Sequence, residues 1–240
     1  MSLRAGRTLV PPEGARVSVV MAAFNEEARI GEAIESVLKQ TYRAFELIVV
    51  DDASDDRTAE TAAGFDRVRV VRRRHRGGVG AACNTGMEAA HGEYWTLFDA
   101  DDVMPPDRLA SGVEYLDANP SVGLVLGLTE AFITPGEPRP AHWNPAWDAG
   151  PFPACTGTMI ARRNVFELVG GFDEQLPVAS DVEWLARAKD AGVRAGRVES
   201  VWLHRRIHAG SASADHRMIR GVLLGVLRES VHRRRARVSC

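Results

Sequence analysis

Apolar runs of four to six residues alternate with amphipathic segments along the first hundred residues of the chain. The runs at 17–21, 45–50, 68–71 and 94–98 predict four strands. The segments between them predict three helices: one at 26–40, one that begins with Ser54 or Asp55 as its N-cap, and one at 79–90. Apolar residues recur in these segments at helical spacing. This alternation favours an α/β fold with a mainly parallel central sheet flanked by helices.

The second half of the chain is less regular. Helices are predicted at 106–119, 163–169, 181–191 and 215–235, and strands at 122–128 and 157–160. Residues 134–153 hold many of the prolines together with Trp143 and Trp147. A segment of this length without regular structure is usually functional, so we predict a loop or lid there.

The last predicted helix is amphipathic and basic. Its apolar stripe comprises Ile219, Val222, Leu223, Val226 and Leu227, beside Arg217, Arg220, Arg228 and Arg233–Arg235. We predict that this helix packs on the domain or on a second subunit, as a homodimer contact. Peripheral attachment to a membrane surface is the alternative.

Length and composition indicate one domain. With 240 residues and 45% hydrophobic content, the chain suffices for one substantial core. We therefore predict a single domain over 1–240, with an N-terminal extension at 1–15 and the basic helix at 215–240. The net charge of −2 disfavours a nucleic-acid partner, although arginines cluster at 72–76 and 233–237.

Cysteine usage and hydropathy bear on location. The three cysteines, Cys83, Cys155 and Cys240, show no CxxC spacing, which indicates neither a disulfide framework nor a zinc site. The N-terminus lacks the apolar stretch of a signal peptide, and no apolar run approaches the roughly 20 residues of a membrane span. We expect a cytoplasmic protein, with peripheral attachment at the inner face of the membrane as the alternative.

Polar residues, most of them carboxylates, collect where the predicted strands end. Asp99, Asp101 and Asp102 follow the fourth strand, Asp51 and Asp52 follow the second, and Asn25 and Glu26 follow the first. Ligands of open α/β sheets bind along this edge, and carboxylate oxygens suit Mg²⁺ or Mn²⁺. The alternative for the run at 99–102 is a solvated turn that caps the next helix.

Seven short motifs, taken together in this order, resemble the family 2 glycosyltransferases. They lie at 19–27, 36–42, 45–56, 91–94, 99–102, 170–174 and 206–211. The resemblance spans about residues 16–213. It implies the GT-A fold, which is a Rossmann-like nucleotide-binding fold. It further implies an inverting, metal-assisted enzyme that moves a sugar from a UDP or dTDP sugar to an acceptor, which is a saccharide, lipid, peptide or small molecule.

The same resemblance implies a donor site. Its residues are Ala22, Phe24, Glu26, Asp52, Arg76, Asp99 and Ala100. The Phe24 ring stacks on the base in this interpretation, and is a core side chain in the alternative. Asp52 accepts the N3–H of uracil or thymine, whereas Asp51 binds backbone N–H groups. Glu26 either contacts the nucleotide or favours the positive N-terminus of its helix.

A divalent cation, Mn²⁺ or Mg²⁺, is the cofactor that the resemblance implies. Asp99 and Asp101 correspond to the DxD motif, and His208 reaches the metal or the diphosphate. Asp101 is the expected direct ligand, with Asp99 on the ribose or on metal-bound water. Asp102 is expected to support the others or to cap a helix. His204 lies four residues before His208, but no further zinc ligand is apparent.

Asp181 matches the general base of the family. It is also a suitable N-cap for its helix, and the two roles are compatible. Ser180 and Cys83 depart from the family pattern, which has an acidic residue and often an arginine there. If that arginine holds the donor, either Arg76 or another member of the basic run must replace it, or donor binding is weaker.

Two other functional classes compete with this interpretation. A non-catalytic nucleotide-sugar-binding protein fits the departures at Ser180 and Cys83, but the retained Asp99, Asp101 and Asp181 favour an enzyme. A sugar-phosphate nucleotidyltransferase needs a glycine-rich loop with a basic residue after the first strand. The segment 22–25 has neither.

Overall fold

The computed structural model describes residues 14–153, 156–210 and 216–238. Eight strands are described: β1 (Val17–Ala23), β2 (Phe45–Asp51), β3 (Val68–Arg72), β4 (Tyr94–Asp99), β5 (Leu124–Phe132), β6 (Phe152–Pro153), β7 (Ile160–Arg162) and β8 (Ala195–Arg206). Seven α-helices accompany them: α1 (Ile30–Leu38), α2 (Thr58–Ala63), α3 (Gly78–Glu88), α4 (Arg108–Ala118), α5 (Arg163–Val169), α6 (Ser180–Asp190) and α7 (His216–Val238).

All eight strands form one sheet, in the order β3-β2-β1-β4-β7-β5-β6, with β8 also paired to β5. Strands β1 to β4 run parallel, as expected when each connection crosses over through a helix. The short strand β7 is antiparallel to both β4 and β5, and β8 is parallel to β5. The predicted α/β fold with a mainly parallel sheet is confirmed, with an antiparallel strand in its interior.

The core fills both faces of this sheet. On β1, Val19 and Met21 face the layer of α1 and α4, whereas Val20 faces the opposite layer, which contains Trp184 of α6. This division follows from the two-residue period of a strand. Both faces are covered, so β1, β2 and β4 are largely apolar, with Ser18, Glu46 and Thr96 as buried polar exceptions.

Several element boundaries differ from prediction. Helix α2 begins at Thr58 rather than after Ser54 or Asp55, and no side chain caps it. Ser54 instead accepts the N–H of Asn25 on its hydroxyl at 3.0 Å. Helix α1 begins at Ile30, four residues later than predicted.

The predicted strand at 157–160 and the predicted loop also need correction. A 3-10 helix, Thr156–Thr158, precedes a strand that begins only at Ile160. The loop at 134–153 contains a second 3-10 helix, Pro145–Ala149, and the short strand β6. Strand β8 was not predicted at all.

Helix α7 packs on α6, and the contact is largely polar. The Asp190 carboxylate of α6 accepts hydrogen bonds from Ser230, Arg233 and Arg234 at 2.8–2.9 Å. Val226 is buried beside them, but Leu227, predicted for the packed stripe, is 62% exposed. The face of α7 that packs on α6 carries polar as well as apolar side chains, because the Asp190 carboxylate needs hydrogen-bond donors. The apolar stripe in the sequence therefore predicts this face only in part.

Some sequence predictions lie outside the described residues. They concern residues 1–13 of the predicted extension, Cys155, Cys240, Ser211, and the side chains of Arg217, Ile219, Arg220 and Arg235. Among the described helices, none combines the length and apolar character that a membrane span requires.

Candidate functional site

The carboxyl ends of β1, β2 and β4 lie side by side. Ala22 pairs with Val50 on one side and with Asp99 on the other. Asn25 follows in a left-handed conformation with φ 55°, which its short polar side chain tolerates. Its side-chain carbonyl oxygen accepts the N–H of Asp55 at 2.9 Å, which ties the first two strand-end loops together. The edge predicted for ligand binding is therefore a continuous surface.

Four carboxylates and one imidazole meet on this surface. Potential ligand atoms of Glu26, Asp101 and His208 lie within 4.8 Å of one another, as do those of Asp99, Asp101 and Asp102. Asp101 belongs to both groups. The structure brings the predicted metal residues together and adds Glu26, which the sequence had assigned to the nucleotide or to its helix.

Crowding raises the pKa values of three of these carboxyl groups, those of Glu26, Asp99 and Asp102. Desolvation by surrounding protein, followed by the charge of Asp101, raises the pKa of Asp99 to about 7 and raises that of Glu26 above its ordinary value. Because Asp99 is solvent-exposed, its carboxylate keeps part of its hydration, and the charge of Asp101 contributes strongly to its raised pKa. Desolvation and Asp101 also raise the pKa of Asp102 well above its usual range. A bound cation would relieve this repulsion.

His208 links the end of the sheet to this cluster. Its Nε2 lies 3.0 Å from Oδ2 of Asp101, and its Nδ1 accepts the N–H of Gly210 at 3.2 Å. An Nδ1 that accepts a hydrogen bond carries no proton, so Nε2 carries the proton and donates to Asp101. Nε2 can ligate a cation only after that proton moves, which makes His208 a weaker candidate ligand than Asp101.

Arg206 holds the acidic loop in place. Its backbone N–H donates to Asp102 at 2.8 Å, and its Nε–H donates to the backbone carbonyl of Asp101 at 2.8 Å. Its two terminal nitrogens donate to Thr134 and Glu32, each at 2.6 Å. Asp102 therefore supports the acidic loop, which is one of the two roles predicted for it. It caps no helix, because α4 has no side-chain cap.

Arg205 is a second arginine that the sequence did not place in the site. Its charge lowers the raised pKa values of both Asp99 and Asp102, so it lies within electrostatic range of them. Its backbone pairs with Ala131 of β5, and its side chain makes no hydrogen bond or ion pair with a described residue. The sequence shows the Arg205-Arg206 pair before His208. It did not predict strand β8, in which two consecutive side chains point to opposite faces.

Asp181 lies on the second residue of α6 and faces the same cluster. Its negative charge contributes to the raised pKa of Asp99 and also to that of Cys83, which is buried on α3. The hydroxyl of Thr156 donates to Oδ2 of Asp181. The predicted N-cap role is wrong, since the cap position is Ala179 and no side chain accepts a capping bond. No sequence signal pointed to Thr156.

The predicted base contacts form a separate group at the β2 end of the edge. The Arg76 guanidinium lies 3.8 Å from the centre of the Phe24 ring. Phe24 is half-buried rather than a core side chain. Ala22 is also half-buried, whereas Ala100 is 2% exposed.

Asp52 is nearly enclosed by donors. It accepts hydrogen bonds from Arg73 and from the backbone N–H groups of Gly77 and Gly78, the last at 2.7 Å. Asp51 accepts the N–H of Ser54 at 3.4 Å and pairs with Arg72 at 3.2 Å. The role of backbone partner predicted for Asp51 is therefore shared with Asp52.

The donor set fits a hard divalent cation. Glu26, Asp99 and Asp101 supply carboxylate oxygens, which Mg²⁺ and Mn²⁺ prefer, and the raised pKa values of Glu26 and Asp99 reflect repulsion that a cation would offset. His204 belongs to neither group, since its Nδ1 lies 3.2 Å from Glu130. Within the described residues, the site offers no thiolate that would favour zinc.

Solved structures share the architecture. Residues covering 95% of this chain superpose on 66% of the mannosyltransferase PcManGT from Pyrobaculum calidifontis, solved with GDP-Man and Mn²⁺, with TM-score 0.72 and 24% identity. TarS from S. aureus, solved with UDP-GlcNAc, gives TM-score 0.68 and 21% identity over 83% of this chain and 61% of its own. At these identities the likeness shows the fold, which is that of GT-A glycosyltransferases.

Sequence relatives are more informative about family. The putative glycosyltransferase EpsE of Bacillus subtilis is 31% identical over 173 residues, which cover 66% of this chain and 60% of EpsE. An uncharacterised protein of Sinorhizobium fredii is 32% identical over 223 residues, which cover 85% of this chain and 24% of that protein. The chain thus spans less than two thirds of either relative. The sequence profile of glycosyl transferase family 2 matches residues 18–175, and the chain belongs to that family.

Proposed function

We propose that this chain transfers a glycosyl residue from a nucleoside diphosphate sugar to an acceptor, with inversion at the anomeric carbon. The observation that carries the proposal is the 3.0 Å contact between Asp101 and His208, 107 positions apart. It closes a ring of acidic groups at the carboxyl edge of the sheet, opposite Asp181. A protein that only bound the nucleotide sugar would need the metal carboxylates but not an additional aspartate facing them.

The nucleotide would bind at the β2 end of the edge. The Arg76 guanidinium already covers one face of the Phe24 ring, so a base would stack on the opposite ring face or on the outer face of the guanidinium. Asp52 would accept the N3–H of uracil or thymine. A carboxylate has about four lone-pair sites, so a base must share Asp52 with Arg73, Gly77 and Gly78. Solved relatives with UDP-GlcNAc or GDP-Man support a nucleotide sugar but leave the base open.

The diphosphate would lie against the acidic cluster. Asp99 and Asp101 would hold Mn²⁺ or Mg²⁺, with Glu26 and His208 adjoining. A divalent cation bound there would neutralise the charge that develops on the leaving diphosphate. Arg205, which has no ion-pair partner among the described residues, would add a second positive charge on the β8 side.

Asp181 would act as the general base. The Thr156 hydroxyl donates to one of its oxygens, which fixes the orientation of the carboxylate and leaves the other oxygen to take a proton. The acceptor hydroxyl attacks the anomeric carbon, the bond from that carbon to the diphosphate oxygen breaks, and the hydroxyl proton passes to Asp181. Attack from the side opposite the leaving group inverts the configuration. Cys83 takes no part, because burial raises the pKa of its thiol and keeps it neutral.

Two measurements test this proposal. Calorimetric titration of UDP and dTDP, with Mn²⁺ and then with EDTA, should show binding only in the presence of the metal. NMR of the product, made with an acceptor that the enzyme uses, should show an anomeric configuration opposite to that of the donor. Equal nucleotide affinity in EDTA would overturn the metal role, and a retained configuration would overturn the mechanism.

A non-catalytic nucleotide-sugar-binding protein remains the second candidate function. The observation that favours it is Ser180, which is 6% exposed and lies where the family has an acidic residue. Such a protein would bind the nucleotide sugar with the same metal dependence but would release no nucleotide over time.

We propose that the protein acts in the cytoplasm, with α7 packed on its own domain.

A further inference from the structure

The loop from Pro135 to Phe152, between β5 and the 3-10 helix at Thr156, carries an ordered array of aromatic rings. Trp143 contacts Trp147 edge-on with ring centres 5.4 Å apart, and Trp147 stacks on Phe152 at 5.9 Å and 17°. All three rings are half-buried and thus keep accessible surface. We call Trp143, Trp147 and Phe152 the aromatic array.

Polar contacts fix the array in position. The Arg139 guanidinium lies 4.8 Å from the centre of the Trp143 ring and donates two hydrogen bonds to Asp148, at 3.0 and 3.1 Å. The side chain of Asn144 accepts the N–H of Ala146 and caps the 3-10 helix that carries Trp147. Rings held in this way lose little conformational entropy when a ligand binds.

Both ends of the loop are attached to the candidate site. At its start, the Thr134 hydroxyl accepts a hydrogen bond from Arg206, the residue that holds the Asp101 carbonyl. At its end, Phe152 pairs with Thr129 of β5, and four residues later Thr156 donates to Asp181. Four residues of chain span at most about 14 Å, so Phe152 lies within that distance of Thr156.

The chemistry of the array selects its ligand. Flat rings bind the C–H face of a sugar through dispersion and burial of apolar area. The surrounding amide, carboxylate and guanidinium groups of Asn144, Asp148 and Arg139 suit hydroxyl groups. Nε2 of His142 and Nε1 of Trp143 are buried and have no hydrogen-bond partner among the described residues, and an unmet polar group of this kind favours a hydrogen-bonding ligand.

We infer that the aromatic array is the acceptor subsite and that the acceptor is a saccharide whose terminal sugar stacks on Trp147. This inference rests on the proposed function, because it takes Asp181 as the base toward which the acceptor hydroxyl points. A saccharide fits better than a lipid chain, since the array interleaves rings with charged and amide groups rather than with aliphatic side chains.

Saturation-transfer NMR on the full chain with UDP and Mn²⁺ tests the inference. The probes are cellobiose, maltose, lactose and chitobiose, with octyl-chain detergent below its micelle concentration as the lipid-like probe. We expect at least one disaccharide to bind. In Trp147→Ala its affinity should fall by about tenfold, and Trp147→Phe should restore most of it, because one ring contact is lost and regained.

The control is Leu168→Ala, which removes an apolar side chain that is 65% exposed on α5, and it should leave disaccharide binding unchanged. Absence of binding by all four disaccharides, equal binding in Trp147→Ala, or Trp147-dependent binding of the detergent alone would each overturn the inference. Metal-dependent UDP binding, measured on the same samples, reports on the proposed function separately. If UDP failed to bind with Mn²⁺ while a disaccharide still bound, the proposed function would be overturned and the saccharide subsite would not.

Discussion

The Nε–H of Arg206 donates to the backbone carbonyl of Asp101 at 2.8 Å, so the last residue of β8 holds the loop that carries the acidic cluster. Arg206 is almost fully buried and reaches four partners through its backbone N–H and its guanidinium. A lysine keeps the positive charge, but its ammonium group lacks the planar guanidinium that donates to several partners at once.

Arg206→Lys should therefore weaken Mn²⁺-dependent nucleotide binding by about tenfold, because the Asp101 loop loses one of its fixed contacts. Isothermal calorimetry with UDP and Mn²⁺ measures this effect. The variant should remain folded, as judged by circular dichroism. A lysine variant that binds UDP with wild-type affinity would show that Arg206 does not position the loop.

Asp101→Asn should separate metal binding from stability. The substitution removes the charge that raises the pKa values of Asp99, Glu26 and Asp102, so the metal-free protein should be as stable as wild type or more so. The increase in Tm caused by Mn²⁺ in wild type should disappear, since a ligand stabilises a protein only as far as it binds. A Mn²⁺-induced shift of wild-type size in this variant would contradict the assignment of Asp101.

Asp181→Asn should lower transfer by a factor of about 10² to 10⁴, the usual contribution of a positioned base, and leave nucleotide affinity intact. The asparagine carbonyl can still accept the Thr156 hydroxyl, so Tm should change little. Thr156→Val removes that donor but keeps the base, and it should reduce transfer less. Steady-state assays with a competent acceptor measure both, and wild-type turnover by the Asn variant would rule Asp181 out.

Acid stability should depend on Asp117. Hydrogen bonds from Arg16 and Tyr94 lower the pKa of Asp117 to about 2. Its unfolded value is about 3.9. The contribution of this group is therefore complete above roughly pH 5 and is lost as pH falls toward 2. Because both side chains are about 40% exposed, solvent screening limits it to about 1 kcal/mol or less.

Urea unfolding of wild type and Asp117→Asn between pH 6 and pH 3 tests this expectation. The two proteins should differ most at pH 6, and the difference should shrink as the pH is lowered. Glu167→Gln, which alters a surface pair with Arg163, is the matched control. A difference that grows on acidification would contradict the sign.

Helix α7 should stay on its own domain and not enter a membrane. Asp190→Ala removes the acceptor of three donors on α7, so limited proteolysis should cut within 216–238 faster than in wild type. Flotation with anionic vesicles should leave the wild type in the soluble fraction. Flotation that is lost in Leu227→Glu, at a residue 62% exposed, would instead support peripheral attachment.

The first half of the fold was predictable because its signals are local. Strands β1 to β4 are apolar runs that end at polar residues, and each observed strand lies within two residues of its predicted limits. Strand β8 was missed because its register against β5 shifts between Leu126 and Leu128 and again before Thr129. Such irregularities break the two-residue alternation, as at Glu199 and Ser200, two consecutive exposed residues.

The sequence predicted the site residues that belong to short motifs. It did not predict the contacts between residues that are distant in sequence. Asp99, Asp101 and His208 follow from the motif resemblance, and the structure places them together. The Thr156 hydroxyl on Asp181 and the Arg206 contact to Asp101 link residues 25 and 105 positions apart. No local pattern encodes such pairs, because tertiary packing alone brings them together.

The separation of 107 residues between Asp101 and His208 also bears on how the protein is made. During synthesis, strands β1 to β4 emerge and can pair before the segment at 204–208 exists, so the carboxylates of the acidic loop are present without His208, Arg205 or Arg206. Contacts of such long sequence separation form late, because the intervening chain must first be ordered. The acidic loop therefore stays without its partners His208, Arg205 and Arg206 until that part of the chain has been made.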